Sequence, residues 1–230
     1  VLRRAVGVRE QLDGPLPPAA LRATLEDIDL LNAWFGGYAL TLARIRRLAA
    51  RLASGRRLVV MDVGGGRGDF AVRVVRWARR RRRPVRVLLV DSDPAVLAVA
   101  ARRTVGYPEI VLVQADAATL PFAEKSADVA VASLTLHHLD RDAAIGCLAG
   151  MASAAAVVIV NDLLRTRLSL ALVWVTTRVL WLHPVSRYDG PLSVRRAYSA
   201  AEIAGLAAQA GVRARIRRYP WLARLVAEIA

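Results

Sequence analysis

The stretch Leu58-Val-Val-Met-Asp-Val-Gly-Gly-Gly-Arg-Gly-Asp-Phe70 constrains this chain more than any other. An apolar run reaches Asp62, breaks into glycines, and a helical pattern starts near Asp69. Glycines at 64, 66 and 68 allow positive φ and leave no Cβ between the main chain and a ligand. Free N–H groups at the helix start add partial positive charge aimed at the same place. A ligand with a nucleoside or an anionic end is expected there.

Dinucleotide binders use G-x-G-x-x-G/A, and Gly66, Gly68 and Ala71 fit that register. Asp62 at the strand end and Asp69 in the first helical turn argue against it, because two carboxylates would repel a pyrophosphate. A ligand carrying an ammonium group and a sulfonium would be welcomed by Asp62. The glycines alone would also suit an ordinary strand-to-helix turn.

Four more apolar runs follow. Val87-Leu-Leu-Val-Asp91 and Ile110-Val-Leu-Val-Gln-Ala-Asp116 each end in an acid, and Ala127-Asp-Val-Ala-Val-Ala-Ser133 and Ala156-Val-Val-Ile-Val-Asn-Asp162 come after them. Each is short, rich in Val and Ile, and separated from the next by a helical pattern, as in a parallel sheet covered on both faces. Ligand groups collect at the carboxyl ends of such strands, where these acids fall. Asp91 can accept both hydroxyls of a ribose, and Asp116 suits the exocyclic amine of adenine. Taken singly, Asp91 could be a helix cap, as could Ser92 or Asp93, and Asp116 could cap a loop.

Together these residues resemble the class I, Rossmann-like S-adenosylmethionine (SAM) methyltransferases. Val60-Met-Asp-Val-Gly-Gly-Gly-Arg-Gly68, Val90-Asp-Ser-Asp-Pro94, Gln114-Ala-Asp-Ala117 with Leu120-Pro-Phe122, and the segment from Asp128 to Leu139 carry the likeness. Leu134-Thr-Leu-His-His-Leu139 and Asn161-Asp-Leu-Leu-Arg165 narrow it to the small-molecule branch that includes ubiquinone and menaquinone methyltransferases. The resemblance implies an α/β fold with a doubly wound, seven-stranded, mostly parallel sheet. It implies SAM as cofactor and S-adenosylhomocysteine (SAH) as product. By this likeness Asp62, Gly64, Gly66 and Gly68 hold the methionyl part, Asp91 and Ser92 the ribose side, and Asp116 and Ala117 the adenine, while Ser133 lines the methyl donor. The chain divides into an N-terminal helical lid (1–50), a SAM-binding core (51–165), a helical lid insertion for substrate (166–198), and a C-terminal helix with closing strands (199–230).

The formal charge of +15 comes almost wholly from arginine, since Lys125 is the only lysine. The run at 79–83 follows the first core helix and precedes Pro84, so it reads as a solvated turn. A basic face could instead bind RNA, and RNA methyltransferases share this core. The chain shows no accessory RNA-binding module, and Asn161-Asp-Leu-Leu lacks the prolines of base-amine methylation motifs. The partner is therefore expected to be a hydrophobic small molecule, with RNA methylation as the alternative and a non-catalytic SAM-fold protein or dinucleotide binder as a third reading. The single cysteine, Cys147, excludes an internal disulfide framework and offers no zinc cluster, and no metal is expected. No secretory pattern opens the chain, and a cytoplasmic monomer or homodimer is expected. Only ten uncharged residues separate Arg167 from Arg178, too few for the roughly 20 of a membrane span, although peripheral contact stays open.

The flanks should choose the substrate. Leu21, Leu25, Ile28 and Leu31 recur at helical spacing, and Gly36-Gly37 breaks the pattern beside Trp34, Phe35 and Tyr38. Leu168, Leu172, Val175, Val179 and Leu182 form one helical stripe, with Trp174, Arg178 and Trp181 on another, which predicts burial on more than one side. Trp34, Tyr38, Trp174, Trp181 and Asp189 are the expected substrate contacts, with His183, Tyr188 and Asp189 on a mobile loop. Methyl transfer from a sulfonium is an in-line displacement, and a hydroxyl acceptor gains from a base. The chain's three histidines, His137, His138 and His183, are the candidates, with His138 or His183 preferred. Ser199 and Glu202 form a capping box, and strands near 213–219 and 222–229 complete the sheet.

Overall fold

The computed structural model describes residues 2–53 and 55–229. Its sheet contains β1 (Leu58–Val63), β2 (Val85–Asp91), β3 (Ile110–Gln114), β4 (Ala127–Ser133), β5 (Ala155–Leu163), β6 (Ala214–Tyr219) and β7 (Arg224–Ile229), in the order β3-β2-β1-β4-β5-β7-β6. Pairings among β1 to β5 are parallel, and β7 runs antiparallel to β5 and β6. The expected seven-stranded, mostly parallel sheet is what forms. Strand order reverses between β1 and β4, so a crevice opens at their carboxyl ends.

Among the described residues eight α-helices flank the sheet: α1 (Pro18–Trp34), α2 (Gly37–Ala49), α3 (Asp69–Arg80), α4 (Pro94–Thr104), α5 (Arg141–Ala154), α6 (Arg167–Val179), α7 (Pro184–Arg196) and α8 (Ala200–Gln209). On one face, Ile45, Phe70, Val74 and Ala100 from α2, α3 and α4 pack on Val60, Leu89 and Val131. On the other, Leu148, Met151, Ile203 and Leu206 from α5 and α8 pack on Met61, Ala130 and Val158. Burial on both faces explains why β1 and β4 do not alternate apolar and polar residues, Asp62 and Asp128 being their single charged positions. Local signals set the helix starts. Asp140 accepts the Ala143 N–H at 2.9 Å at the start of α5, and Ser199 and Glu202 form the expected capping box on α8.

Two expectations for the flank are corrected. The segment after residue 183, read as a mobile loop, is the helix α7. Pro184 occupies its first turn, where no N–H is needed, and Gly190 lets α6 approach, since a Cβ there would stand 3.1 Å from Val173 and 3.2 Å from Thr177. Close approach through that contact outweighs the hydrogen bond lost at Pro191 inside the helix. The second correction concerns α6, which is not buried on several sides. Its buried stripe is Ser169, Val173 and Thr177, while Trp174, Val175 and Val179 face outward. The small residues face α7, and the large apolar ones are left outside.

Candidate active site

The loop between β1 and α3 is shaped by glycine. Gly64 has φ +66°, and a Cβ there would fall 2.5 Å from Thr135 Oγ1. Gly66 has φ +54° with open space where its Cβ would stand, and its N–H donates to Asp91 Oδ2 at 3.0 Å. Asp91 Oδ1 accepts the Asp93 N–H at 3.2 Å, and burial raises the Asp91 carboxyl above its ordinary range. The capping of α4 falls to Asp93, whose Oδ1 accepts the Ala95 N–H at 2.7 Å.

Asp62, at the end of β1, is 2% exposed, and its Oδ2 has no hydrogen-bond partner. Burial, with Asp91 adding, pushes its carboxyl up to about 7. Ser133 Oγ is buried without a partner as well. Both border a cleft of about 60 Å³ with Asn32, Tyr38, Gly64 and Gly66. Asp69 plays no such part. Arg67 Nε lies 2.7 Å from its Oδ2 and Arg103 Nε 2.9 Å from its Oδ1, so its charge is spent. Of the two acids flanking the loop, only Asp62 keeps a carboxyl oxygen free for a ligand.

A larger cavity of about 280 Å³ shares Leu25, Ile28, Gly64, Gly66 and Ser133 with this cleft. Its walls are mostly apolar: Ile28, Leu31, Phe35, Leu134, Leu163 and Val173 contribute. Leu25, Ile28 and Leu31 come from one face of α1, the stripe visible in the sequence.

One end of the cavity is polar. His137 and His138 lie in the turn after β4, their rings 4.3 Å apart between centroids. His137 Nδ1 meets Asp162 Oδ1 at 2.7 Å, while Asp162 Oδ2 accepts the His137 N–H at 3.1 Å. Burial raises the Asp162 carboxyl, but the His137 ring and the Leu163 N–H outweigh it and leave it below its ordinary value. Asp162 thereby fixes the ring with Nε2 turned toward Glu10 Oε1, 3.7 Å away. His138 Nδ1 is held by Asp13. Glu10, raised by burial, accepts from Ser193 Oγ at 2.7 Å and from Arg196 Nη1 at 3.1 Å. Ligand atoms of Glu10, His137 and His138 lie within 4.8 Å of one another, near enough to share a cation, although the Arg196 guanidinium already supplies positive charge there.

The sequence-derived candidates separate into two groups. Asp62, Gly64, Gly66, Asp91, Ser133, Tyr38, His137, His138 and Asp189 border the cleft or the cavity. Gly68, with φ +86°, is the residue from which α3 starts. Tyr38 stacks on Phe70 with 6.0 Å between centroids, so it is wall rather than a free contact. The Asp189 carboxylate is engaged by the Gln11 and Leu12 N–H groups at 2.8 and 3.0 Å, which docks the N-terminal segment. Other candidates lie away from the cavity. Trp34 at the end of α1, Trp174 on α6 and Trp181 just beyond α6 are 63%, 49% and 85% exposed and absent from the lining; Trp174 is left outside because the α6 face that packs is the small one. His183 is also misplaced as a base. It starts α7, its Nδ1 accepting the Val185 N–H at 3.3 Å and its own N–H donating to Asp27 at 2.8 Å. Ser92, Asp116 and Ala117 sit beyond the ends of β2 and β3 outside both linings, and Asp116 Oδ1 caps the following turn through the Ala118 N–H at 2.8 Å. Alanine at Trp174 or Trp181 should accordingly leave acceptor KM and cofactor affinity within about twofold, as for other surface changes. Titration of each variant with cofactor and acceptor checks this.

Sequence reasoning missed Glu10, Asp13, Arg196 and Arg224, all of which border or support the cavity. Asp162 is legible in the sequence as the last residue of an apolar run and as part of the Asn161-Asp-Leu-Leu-Arg165 likeness, without a role.

Residues 60–156 match a family model described as a methyltransferase domain. No curated protein sequence matches the chain. Among solved structures, a SAM-dependent methyltransferase from Aquifex aeolicus superposes with a TM-score of 0.63 at 15% identity, over 94% of this chain and 97% of that one. A protein assigned as an O-methyltransferase from Nostoc punctiforme gives 0.66 at 18% identity, over 99% of this chain and 64% of that one. An O-methyltransferase from neocarzinostatin biosynthesis, in complex with SAM and 2-hydroxy-5-methyl naphthoic acid, gives 0.53 at 23% identity over 75% of this chain. The present chain spans 48% of the length of that last protein. The fold is that of the class I, SAM-dependent methyltransferases, and residues 60–156 carry the matched methyltransferase domain. The comparisons do not single out the quinone branch.

Proposed function

We propose that the chain transfers the methyl group of SAM to a hydroxyl, or an activated ring carbon, of an apolar small molecule held in the 280 Å³ cavity. One observation carries this. The same cavity is lined both by the glycine loop, Asp91 and Ser133 and by His137 and His138. Donor and acceptor would thus share a single, mostly apolar space.

The residues fit the cofactor. The unpartnered Asp62 Oδ2 and Ser133 Oγ suit the ammonium of its methionyl end, and the space before Gly66 leaves room for its backbone. Asp91 keeps a lone pair on each oxygen for the ribose hydroxyls. SAM brings a methyl already activated by the sulfonium, so this chain has to align the acceptor and hold its proton. The apolar walls exclude water, and α1 covers the crevice as a lid. His137, oriented by Asp162, presents Nε2 as the proton acceptor. We therefore favour His137 over His138 and His183. Positioning of this kind can be worth effective molarities of ~10⁵ M or more.

Asp62 gives the reading a pH signature. Its carboxyl is raised in the fold, so its contribution to stability is fully present below the unfolded value near 3.8 and is lost as pH rises to about 7. An ammonium in the cleft needs the ionised form, and binding below that point must expel a proton. Cofactor affinity should fall about tenfold per pH unit below pH 7 and level off above it. Asp62→Asn should flatten the profile, and a wild-type profile already flat from pH 5 to 7 would remove the ammonium role.

Tritiated methyl transfer to a panel of phenolic lipids and to total RNA tests the function itself. The phenolic arm should label and the RNA arm should not. The basic run at 79–83 supports that choice: it lies at the amino ends of the strands, away from the cavity, and Arg79 is committed to both oxygens of Glu109 at 2.7 Å.

A further inference from the structure

Arg224 opens β7, paired with Leu163 on β5 and Tyr219 on β6, which sets it at the carboxyl end of the sheet. Its side chain is 1% exposed, and it borders the large cavity. Only Nη2 has a partner, Asn32 Oδ1 at 3.0 Å, while Nε and Nη1 are buried with none. No carboxylate lies within ion-pair distance among the described residues. The nearest acid in charge terms is Asp162, whose two oxygens are taken by His137 and the Leu163 N–H. The other titratable group facing it is Tyr38, which burial keeps neutral. Burial itself lowers the guanidinium to about 10, still charged at neutral pH.

A buried cation with two idle donors is expensive unless something answers it. Nε and Nη1 lie on different edges of the guanidinium, but Nη2 carries a second N–H, and on the edge that Asn32 leaves open it stands parallel to one of the idle donors, the fork that matches a carboxylate. We propose that Arg224 is the receptor for a carboxylate on the acceptor, so that the molecule methylated here is an acidic one: an apolar ring bearing a carboxylate as well as the reacting hydroxyl. This rests on the reading of the large cavity as the acceptor site. The surroundings agree, for Phe35, Leu134, Leu163 and Val173 line the same cavity and would hold the apolar body. The carboxylate of the cofactor is the other source of the same chemistry. Arg224 is absent from the lining of the cleft that holds Asp62, which favours the acceptor, although its partner Asn32 borders that cleft.

The test uses calorimetry on the SAH-saturated protein near pH 7.5, with 3-hydroxy-2-naphthoic acid and 2-naphthol as the acid and neutral probes. The wild type should bind the acid about 30-fold more tightly, the range expected for a hydrogen bond between charged partners. Arg224→Met should reduce that preference to about threefold or less with SAH affinity unchanged, and Arg224→Lys should keep part of it. Equal binding of the two probes by the wild type, or binding of neither, overturns the proposal without any variant. Should Arg224→Met weaken SAH while sparing 5′-methylthioadenosine, which lacks the carboxylate, the subsite belongs to the cofactor and the acceptor assignment falls. Failure of the wild type to bind SAH at all would instead overturn the underlying reading.

Discussion

His137→Asn should lower kcat by about 10² to 10⁴-fold while leaving cofactor affinity and thermal midpoint close to wild type. Asparagine is the informative replacement because its amide nitrogen falls near the position of the histidine Nδ1. It can still donate to Asp162 Oδ1, which His137 meets at 2.7 Å, while nothing stands where Nε2 was. Alanine would leave a fully buried carboxylate short of a donor and confuse catalysis with stability. Asp162 keeps the N–H groups of His137 and Leu163 in either case, so the fold has reason to survive. Single-turnover transfer from bound SAM separates the chemical step from binding. A variant turning over at the wild-type rate would show that Nε2 takes no proton. If His138→Asn alone were slow, the base would be the half-buried member of the pair, held by Asp13.

The parts of the site that could be read from sequence are those built by neighbours along the chain. Asp62, the glycine turn and Asp91 each follow from a strand ending where its apolar run stops. The order of such strands along the sheet follows from the rules of parallel connections. The polar end of the cavity has no such local cause. Glu10 meets Arg196 and Ser193 across more than 180 residues of sequence, and His138 meets Asp13 across 125. Glu10 sits in a segment with no periodic pattern, and Arg224 is one of 34 basic residues with nothing nearby to mark it. Helix α6 fails for a different reason. Its apolar residues occupy several stripes, and periodicity cannot say which stripe meets a neighbour when the neighbour makes contact through glycine. Pro184, Gly190 and Pro191 misled in the same way: each looks like punctuation, yet one fits a first turn and another permits close packing.

Asp91→Ala should weaken SAH binding by about 10²- to 10³-fold with the thermal midpoint of the free protein little changed. Two charge-assisted hydrogen bonds to ribose hydroxyls contribute about 1.5–3 kcal/mol each before losses, and 1.4 kcal/mol is a factor of ten. The carboxylate does further work in the free protein, because it accepts the Gly66 and Asp93 N–H groups at 3.0 and 3.2 Å. Those donors lie at a partly exposed cavity wall, so water can replace the oxygen that alanine removes. Asp91→Asn keeps one acceptor oxygen and should fall between wild type and alanine. The ribose assignment also predicts which ligand atom matters. A 2′-deoxy analogue of SAH should bind the wild type more weakly than SAH does, yet bind Asp91→Ala about as well as SAH. If calorimetry returned the same SAH affinity for wild type and Asp91→Ala, or if the deoxy analogue lost equally on both proteins, the carboxylate would be a loop brace and the ribose would be held elsewhere.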